Sequence, residues 1–295
     1  MPRLLFVVTL VLVASPLFAQ EKGPKLPDGV TTAKDVEYGK HERHKLDVYT
    51  PKGDGPFPLV VWVHGGAWSA GSKAGGGPAL KLLEHGYAVA AINYRLSQHA
   101  VFPAQIEDCK TAIRHLRENA KTYKIDPDRI GVWGSSAGGH LVALLGTSGD
   151  VKELEGGKDA KASSRVQCVV DWFGPTDLTK MGEQSKVKGP IDHDAKDSPE
   201  SKLIGGAIQE NKEKAAKANP LTYVTKDDPP FLIFHGDADP LVPLGQSEIL
   251  VEALKKEKVD VELVVLKGAK HGGAEFNTAD NFKKTVAFLD KHLKK

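Results

Sequence analysis

Cysteine is nearly absent from this sequence: Cys109 and Cys168 are the only two in 295 residues. That excludes a disulfide-stapled scaffold, and no Cys/His cluster has the ligand spacing of a zinc site. Cys109 lies in a helical apolar pattern and Cys168 in a strand pattern, so two buried free thiols are expected rather than a bridge. A dominant charge is missing too. The 40 Lys and Arg and the 38 Asp and Glu, net +2, are mixed along the chain, which leaves no basic face for nucleic acid and no acidic tail. Long hydrophobic runs are scarce. The only one follows Met-Pro-Arg at the start, over residues 4–14, and gives way to Ser15-Pro-Leu-Phe-Ala19. This pattern predicts a signal peptide over 1–19, then a linker over 20–35, and hence an exported protein with no membrane span after cleavage. Leu17 departs from it, because the position usually takes a small residue. No internal repeat is present.

Apolar residues make up 40% of the chain and charged ones 26%, enough to bury the core of one large domain, expected over 36–295. Short strands over 36–40 and 45–49 suggest an antiparallel edge pair. Residues 58–64, 87–93, 129–133, 166–173, 230–234 and 261–266 read as strands buried on both faces. Helical patterns lie between them, over 77–85, 137–145, 244–255 and 281–292. The clearest covers 103–123, where Ile106, Cys109, Ile113, Leu116, Ala120 and Tyr123 recur at spacings of three and four. This alternation predicts an α/β fold with a mostly parallel sheet and helices on both faces, whose sites form at the carboxyl ends of strands. Residues 149–164 read as a charged surface loop. Residues 177–219 are polar, with scattered anchors at Met181, Ile191, Leu203 and Ile204, and read as a small cap or excursion beside the site.

The chemistry concentrates at strand ends. Gly131-Val-Trp-Gly-Ser-Ser-Ala-Gly-Gly-His140 holds G-x-S-x-G in one register only, with Ser136 central and Ser135 a spacer. It lies between a strand and an apolar helix, the setting of a nucleophile elbow. A serine hydroxyl needs a base, and that base needs a carboxylate to orient it. His140 follows on the same helix and is poorly placed to reach the elbow, so packing or capping is its expected role. Further along, Phe231-Leu-Ile-Phe-His-Gly-Asp-Ala-Asp-Pro-Leu-Val-Pro243 and Lys267-Gly-Ala-Lys-His271 follow two more strands. Ser136, Asp239 and His271 then stand in the order serine, acid, histidine. Asp237 is the alternative acid, or a turn brace. His64 and His235 read as hydrogen-bonding their own loops, and His292 as solvated. The oxyanion of a tetrahedral intermediate needs backbone N–H donors. Ala137 would supply one, and Gly66 and Ala67 of His64-Gly-Gly-Ala-Trp68 the other, with Trp68 a candidate pocket wall.

Together these four motifs resemble the α/β-hydrolase family, in its carboxylesterase and lipase branch with an HGGG-type oxyanion loop. The likeness extends over nearly all of the chain after residue 35. It implies an eight-stranded, mostly parallel sheet with its first strands antiparallel, a triad acid at Asp239, and no metal or organic cofactor. Ala67 departs from the third glycine of many members. The Gly-Ser-Ser-Ala-Gly-Gly-His run is similar to bacterial acetylxylan and feruloyl esterases, and the HGGxW loop is shared with kynurenine formamidases. A serine esterase acting on short-acyl esters, small or carried on a polysaccharide, is the resulting expectation. The alternatives are an amide hydrolase or a non-catalytic binding module on the same fold; nothing in the sequence fixes the oligomeric state.

Overall fold

Strands that must lie between two layers of helix need apolar side chains on both faces, and β3 (Phe57–Val63) is built that way. Val61 and Val63 point into one core layer, Val60 and Trp62 into the other. A computed structural model describes residues 25–149, 151–157 and 161–294. The expected signal peptide and the first residues of the expected linker lie outside them. β1 (Thr31–Glu37), β2 (Lys45–Thr50), β3, β4 (Ala88–Ile92), β5 (Ile125–Ser135), β6 (Cys168–Trp172), β7 (Phe231–Gly236) and β8 (Val261–Leu266) form one sheet in the order β1-β2-β4-β3-β5-β6-β7-β8. β1 and β2 run antiparallel, as do β2 and β4; every other neighbouring pair is parallel. This is the α/β-hydrolase sheet that the motifs imply.

The helices are α1 (Ala104–Glu118), α2 (Ala120–Tyr123), α3 (Ala137–Thr147), α4 (Met181–Gln184), α5 (Pro199–Ile204), α6 (Lys212–Ala218), α7 (Gly245–Lys256) and α8 (Ala279–Leu293). α1 and α3 cover one face of the sheet and α8 the other. On α1, Ile106, Cys109, Ile113 and Leu116 are wholly buried, each such aliphatic side chain contributing about 1.5–3 kcal/mol. Cys109 and Cys168 are both free and buried, in different core layers.

Several features differ from expectation. β1 begins at Thr31, five residues early, and takes the end of the expected linker. Thr31, Thr32 and Ala33 pair with Thr50, Tyr49 and Val48, and the register slips at Asp35 (φ 52°), whose amide donates to Asp47 Oδ1 at 2.9 Å. A mostly exposed edge strand broken by a bulge carries no alternation to read. The helix over 103–123 breaks at Asn119, whose side-chain amide donates to the His115 carbonyl at 2.8 Å and competes with the helical bond there. Residues 77–85 wind as a 3₁₀ helix behind three consecutive glycines in the left-handed region. The loop over 149–164 is anchored: Leu154 is buried, and Glu155 pairs with Lys110 at 2.8 Å and Arg114 at 2.6 Å. Between 177 and 219, Leu203, Ile204, Ile208, Ala215 and Ala218 join the same core layer as α1 and α3. No helix of the described residues is long and apolar enough to cross a membrane.

Candidate active site

β3 and β5 are parallel neighbours with Val63 opposite Gly134, so the chain leaves both strands at the same edge of the sheet. Directly after β5, Ser136 takes φ 56° and ψ −123°, a strained conformation that costs on the order of 1–3 kcal/mol. Its amide donates to the Trp172 carbonyl at 2.8 Å, and α3 starts one residue later. The turn is tight enough to exclude a side chain at Gly138, where a Cβ would lie 2.1 Å from the Val63 carbonyl oxygen. Strand, sharp turn and helix thus lift the Ser136 hydroxyl out of the sheet.

His271, in the loop after β8, meets that hydroxyl: Ser136 Oγ lies 2.9 Å from His271 Nε2. On its other side, His271 Nδ1 donates to Asp239 Oδ2 at 2.7 Å. The Asp239 carboxylate is buried, and Oδ1 accepts the amides of Leu241 at 2.8 Å and Val242 at 2.9 Å. Burial alone would raise its pKa. The His235 ring, 3.6 Å from Oδ2, and hydrogen bonds from His271 and the Val242 amide outweigh that and hold it well below the usual carboxylate range. Asp237 is exposed, and its Oδ1 accepts the Gly268 amide at 2.6 Å, bracing the loops after β7 and β8. His235 also supports this corner. Its Nε2 donates to the Val242 carbonyl at 2.8 Å while Nδ1 faces Ser247 Oγ at 2.7 Å.

His140 and His64 brace the scaffold. His140 is fully buried, accepts from Trp68 Nε1 at 3.1 Å, and donates through Nε2 to the Ala218 carbonyl at 2.7 Å. Burial lowers its pKa to about 4. His64 donates to the Gly65 carbonyl at 2.7 Å and stacks on Tyr94 at 4.4 Å; burial, aided by Arg43, brings it to about 4 against the Gly65 bond. His292 is half-buried against Phe288 rather than solvated.

Gly65 packs on the elbow, where a Cβ would come within 2.8 Å of the Ser135 carbonyl oxygen. Gly66, Ala67 and Trp68 follow with φ of 112°, 51° and 55°, and the Gly66 carbonyl accepts the Ser69 and Ala70 amides. Gly66, Ala67, Trp68 and Ala137 all line a cavity of about 570 Å³ that opens over Ser136 and His271. Three of its residues carry no sequence signal of a role: Phe173, which packs on the His271 ring at 4.5 Å, and His193 and Glu200, which sit in the 177–219 excursion. Only their position on the fold reveals them. Among the described residues, no group of three or more His, Cys, Asp or Glu converges as a metal would require. A hydroxyl beside an imidazole that is itself oriented by a carboxylate can be deprotonated as it attacks an electrophilic carbon.

Comparison with known proteins bears on the same residues. A BD-FAE family model matches residues 46–254. Esterase LipQ of Mycobacterium tuberculosis is 33% identical over 227 residues, which are 75% of this chain and 52% of that protein. The chain thus spans about half the length of the curated relatives it matches. Among solved structures, a truncated carbohydrate esterase from gut microbiota superposes with a TM-score of 0.85 at 34% identity, over 93% of this chain and 100% of that one. A bifunctional GH43-CE protein of Bacteroides eggerthii gives 0.80 at 41% identity, over 88% of this chain and 35% of that one. With the family model running from β2 to α7, across the elbow and the Asp239 corner, the chain belongs to the BD-FAE family of α/β-hydrolase fold.

Proposed function

We propose that this chain is an exported serine esterase that removes short acyl groups from carbohydrate esters, with Ser136 as nucleophile, His271 as general base and acid, and Asp239 as its orienting carboxylate. One observation carries this reading: the unbroken hydrogen-bonded line from Ser136 Oγ through His271 to Asp239, at the floor of a cavity that admits a substrate.

In the acylation step, Ser136 Oγ attacks the ester carbonyl carbon while its proton passes to His271 Nε2. The carbonyl oxygen becomes an oxyanion, received by the N–H groups of Ala137 and of Gly66 or Ala67. Collapse breaks the bond to the alcohol, which leaves with the proton from His271. Water then repeats the sequence on the acyl-Ser136 ester and releases the acid. Asp239 stays ionised throughout and stabilises the imidazolium.

Short acyl groups suit a cavity of about 570 Å³ walled by Phe173, Met181, Ile191 and Leu241. Similarity to a carbohydrate esterase and to a GH43-CE protein supports an ester carried on a sugar. The apolar run over 4–14 supports export.

Hydrolysis of a p-nitrophenyl ester series from acetate to palmitate, with acetylated xylan and a feruloyl ester alongside, tests the reading. The wild type is expected to favour acetate or butyrate, and Ser136→Ala to lose at least about a thousandfold in kcat. A wild type as inert as Ser136→Ala on every ester refutes it.

A further inference from the structure

The mechanism above leaves one carboxylate–imidazole pair in the cavity unused. His193 Nδ1 donates to Glu200 Oε1 at 2.9 Å, and each side chain is only 3% exposed. Local sequence fixes the pair: Ser198 caps α5 by accepting the Ser201 amide, Pro199 opens the helix, and Glu200 is thereby set facing His193. Both residues line the wall of the cavity that holds Ser136 and His271.

This pair is polar where the rest of its wall is apolar. Met181, Ile191 and Phe173 line the same cavity, and a pocket meant only for a small acyl group would gain more from another aliphatic side chain. Two of its polar atoms also lack partners. Glu200 Oε2 is buried with no hydrogen bond, and among the described residues no group bonds His193 Nε2. A carboxylate only accepts, so Nδ1 carries a hydrogen toward Glu200, and in the neutral form of the ring Nε2 presents its lone pair. An incoming O–H or N–H donor can match such an atom at the cavity wall, while burial of Glu200 Oε2 without a partner carries a penalty.

We propose that His193, held in orientation by Glu200, is a specificity-determining residue that accepts a hydrogen bond from a free hydroxyl of the substrate and so selects esters of polyhydroxylated alcohols over aryl or alkyl esters. The proposal rests on the esterase reading. A site that hydrogen-bonds a hydroxyl rejects the analogue lacking it far more strongly than an apolar wall rejects a missing methylene. His193 moves no proton in the reaction and acts on which alcohol is held over Ser136.

The test compares kcat/KM for a partially acetylated xylo-oligosaccharide, rich in free hydroxyls, with that for p-nitrophenyl acetate, which has none. His193→Phe keeps a ring and removes both nitrogens. It is expected to lower the sugar-ester value about 10- to 100-fold, mostly through KM, and to change the aryl-ester value less than about threefold. His193→Gln, which restores an acceptor, is expected to recover part of the loss, and Glu200→Gln to lower the sugar ester alone by a few-fold. Equal losses on both esters in all three variants mean a structural role and overturn the proposal. An unchanged sugar-ester value in His193→Phe, with the wild type active on both esters, overturns it while the esterase reading stands. A wild type inert on both overturns the two together.

Discussion

Replacing Asp239 by asparagine separates orientation of the base from the architecture of its loop. Oδ1 of the native carboxylate accepts the Leu241 and Val242 amides, and an asparagine carbonyl oxygen can still do so. At the other position, where Oδ2 lies 2.7 Å from His271 Nδ1, the substitution puts an NH₂ donor. The imidazole must then turn or adopt the other tautomer, which places a hydrogen on the nitrogen facing Ser136. In triads of this kind the amide replacement costs about 10⁴-fold in kcat, or about 5.5 kcal/mol of transition-state stabilisation at 1.36 kcal/mol per decade. With the loop bonds retained, stability should move by only about 1 kcal/mol. Asp237→Asn is the control, since Asp237 accepts only the Gly268 amide and an asparagine keeps that acceptor. Its kcat/KM should stay within about threefold. Initial rates on p-nitrophenyl acetate and thermal unfolding, measured on both variants, check this. A value for Asp239→Asn within tenfold of wild type, or a larger loss in Asp237→Asn, refutes the assignment of the acid.

Two further outcomes follow from the elbow and its support. His140 has its pKa depressed to about 4 by burial, against 6.5 for the free side chain, so the unfolded chain binds the extra proton between those values. Its contribution to stability is full above about pH 6.5 and is lost as pH falls through about 4, with a limiting slope of about 1.4 kcal/mol per pH unit. His140→Gln should therefore unfold with a flatter pH dependence in that window; because His64 and Asp171 also titrate there, the difference between chemical denaturation curves of the two proteins is the measurement, and parallel curves would count against a neutral buried imidazole. Gly138→Ala sets a methyl 2.1 Å from the Val63 carbonyl oxygen. It should cost at least about 3 kcal/mol or prevent soluble expression, and a variant that melts within a degree or two of wild type would contradict the geometry of the turn.

Legibility in the sequence followed the strength of local signal. Ser136 stands out because an elbow demands small residues at fixed offsets, and His271 because it follows an apolar strand. Asp237 and Asp239 follow the same strand, and only the family resemblance separates them; in the structure Ser136, His271 and Asp239 lie in one hydrogen-bonded line. Central strands could be read because burial on both faces leaves continuous apolar runs. β1 starts outside its expected span since its exposed faces impose no pattern, and the break at Asn119 depends on one side chain bonding the His115 carbonyl a turn earlier. His193 and Glu200 were invisible for a different reason. They meet only because Ser198 and Pro199 turn the chain between them, and a pair seven residues apart in polar sequence has no periodicity to detect.

A single imidazole, that of His140, bonds the Gly66–Trp68 loop through Trp68 and the end of the 177–219 excursion through the Ala218 carbonyl, from a position one turn beyond Ser136. Anyone recombining relatives of this chain inherits that constraint. An excursion taken from another protein can differ freely around α4 and α5, yet it must return a carbonyl to the place of Ala218, or the imidazole that holds the Trp68 loop loses its anchor. The cavity lining and the support of the Trp68 loop are therefore separable only short of α6: a crossover earlier in the excursion exchanges the first and spares the second, while a crossover after α6 puts both at stake.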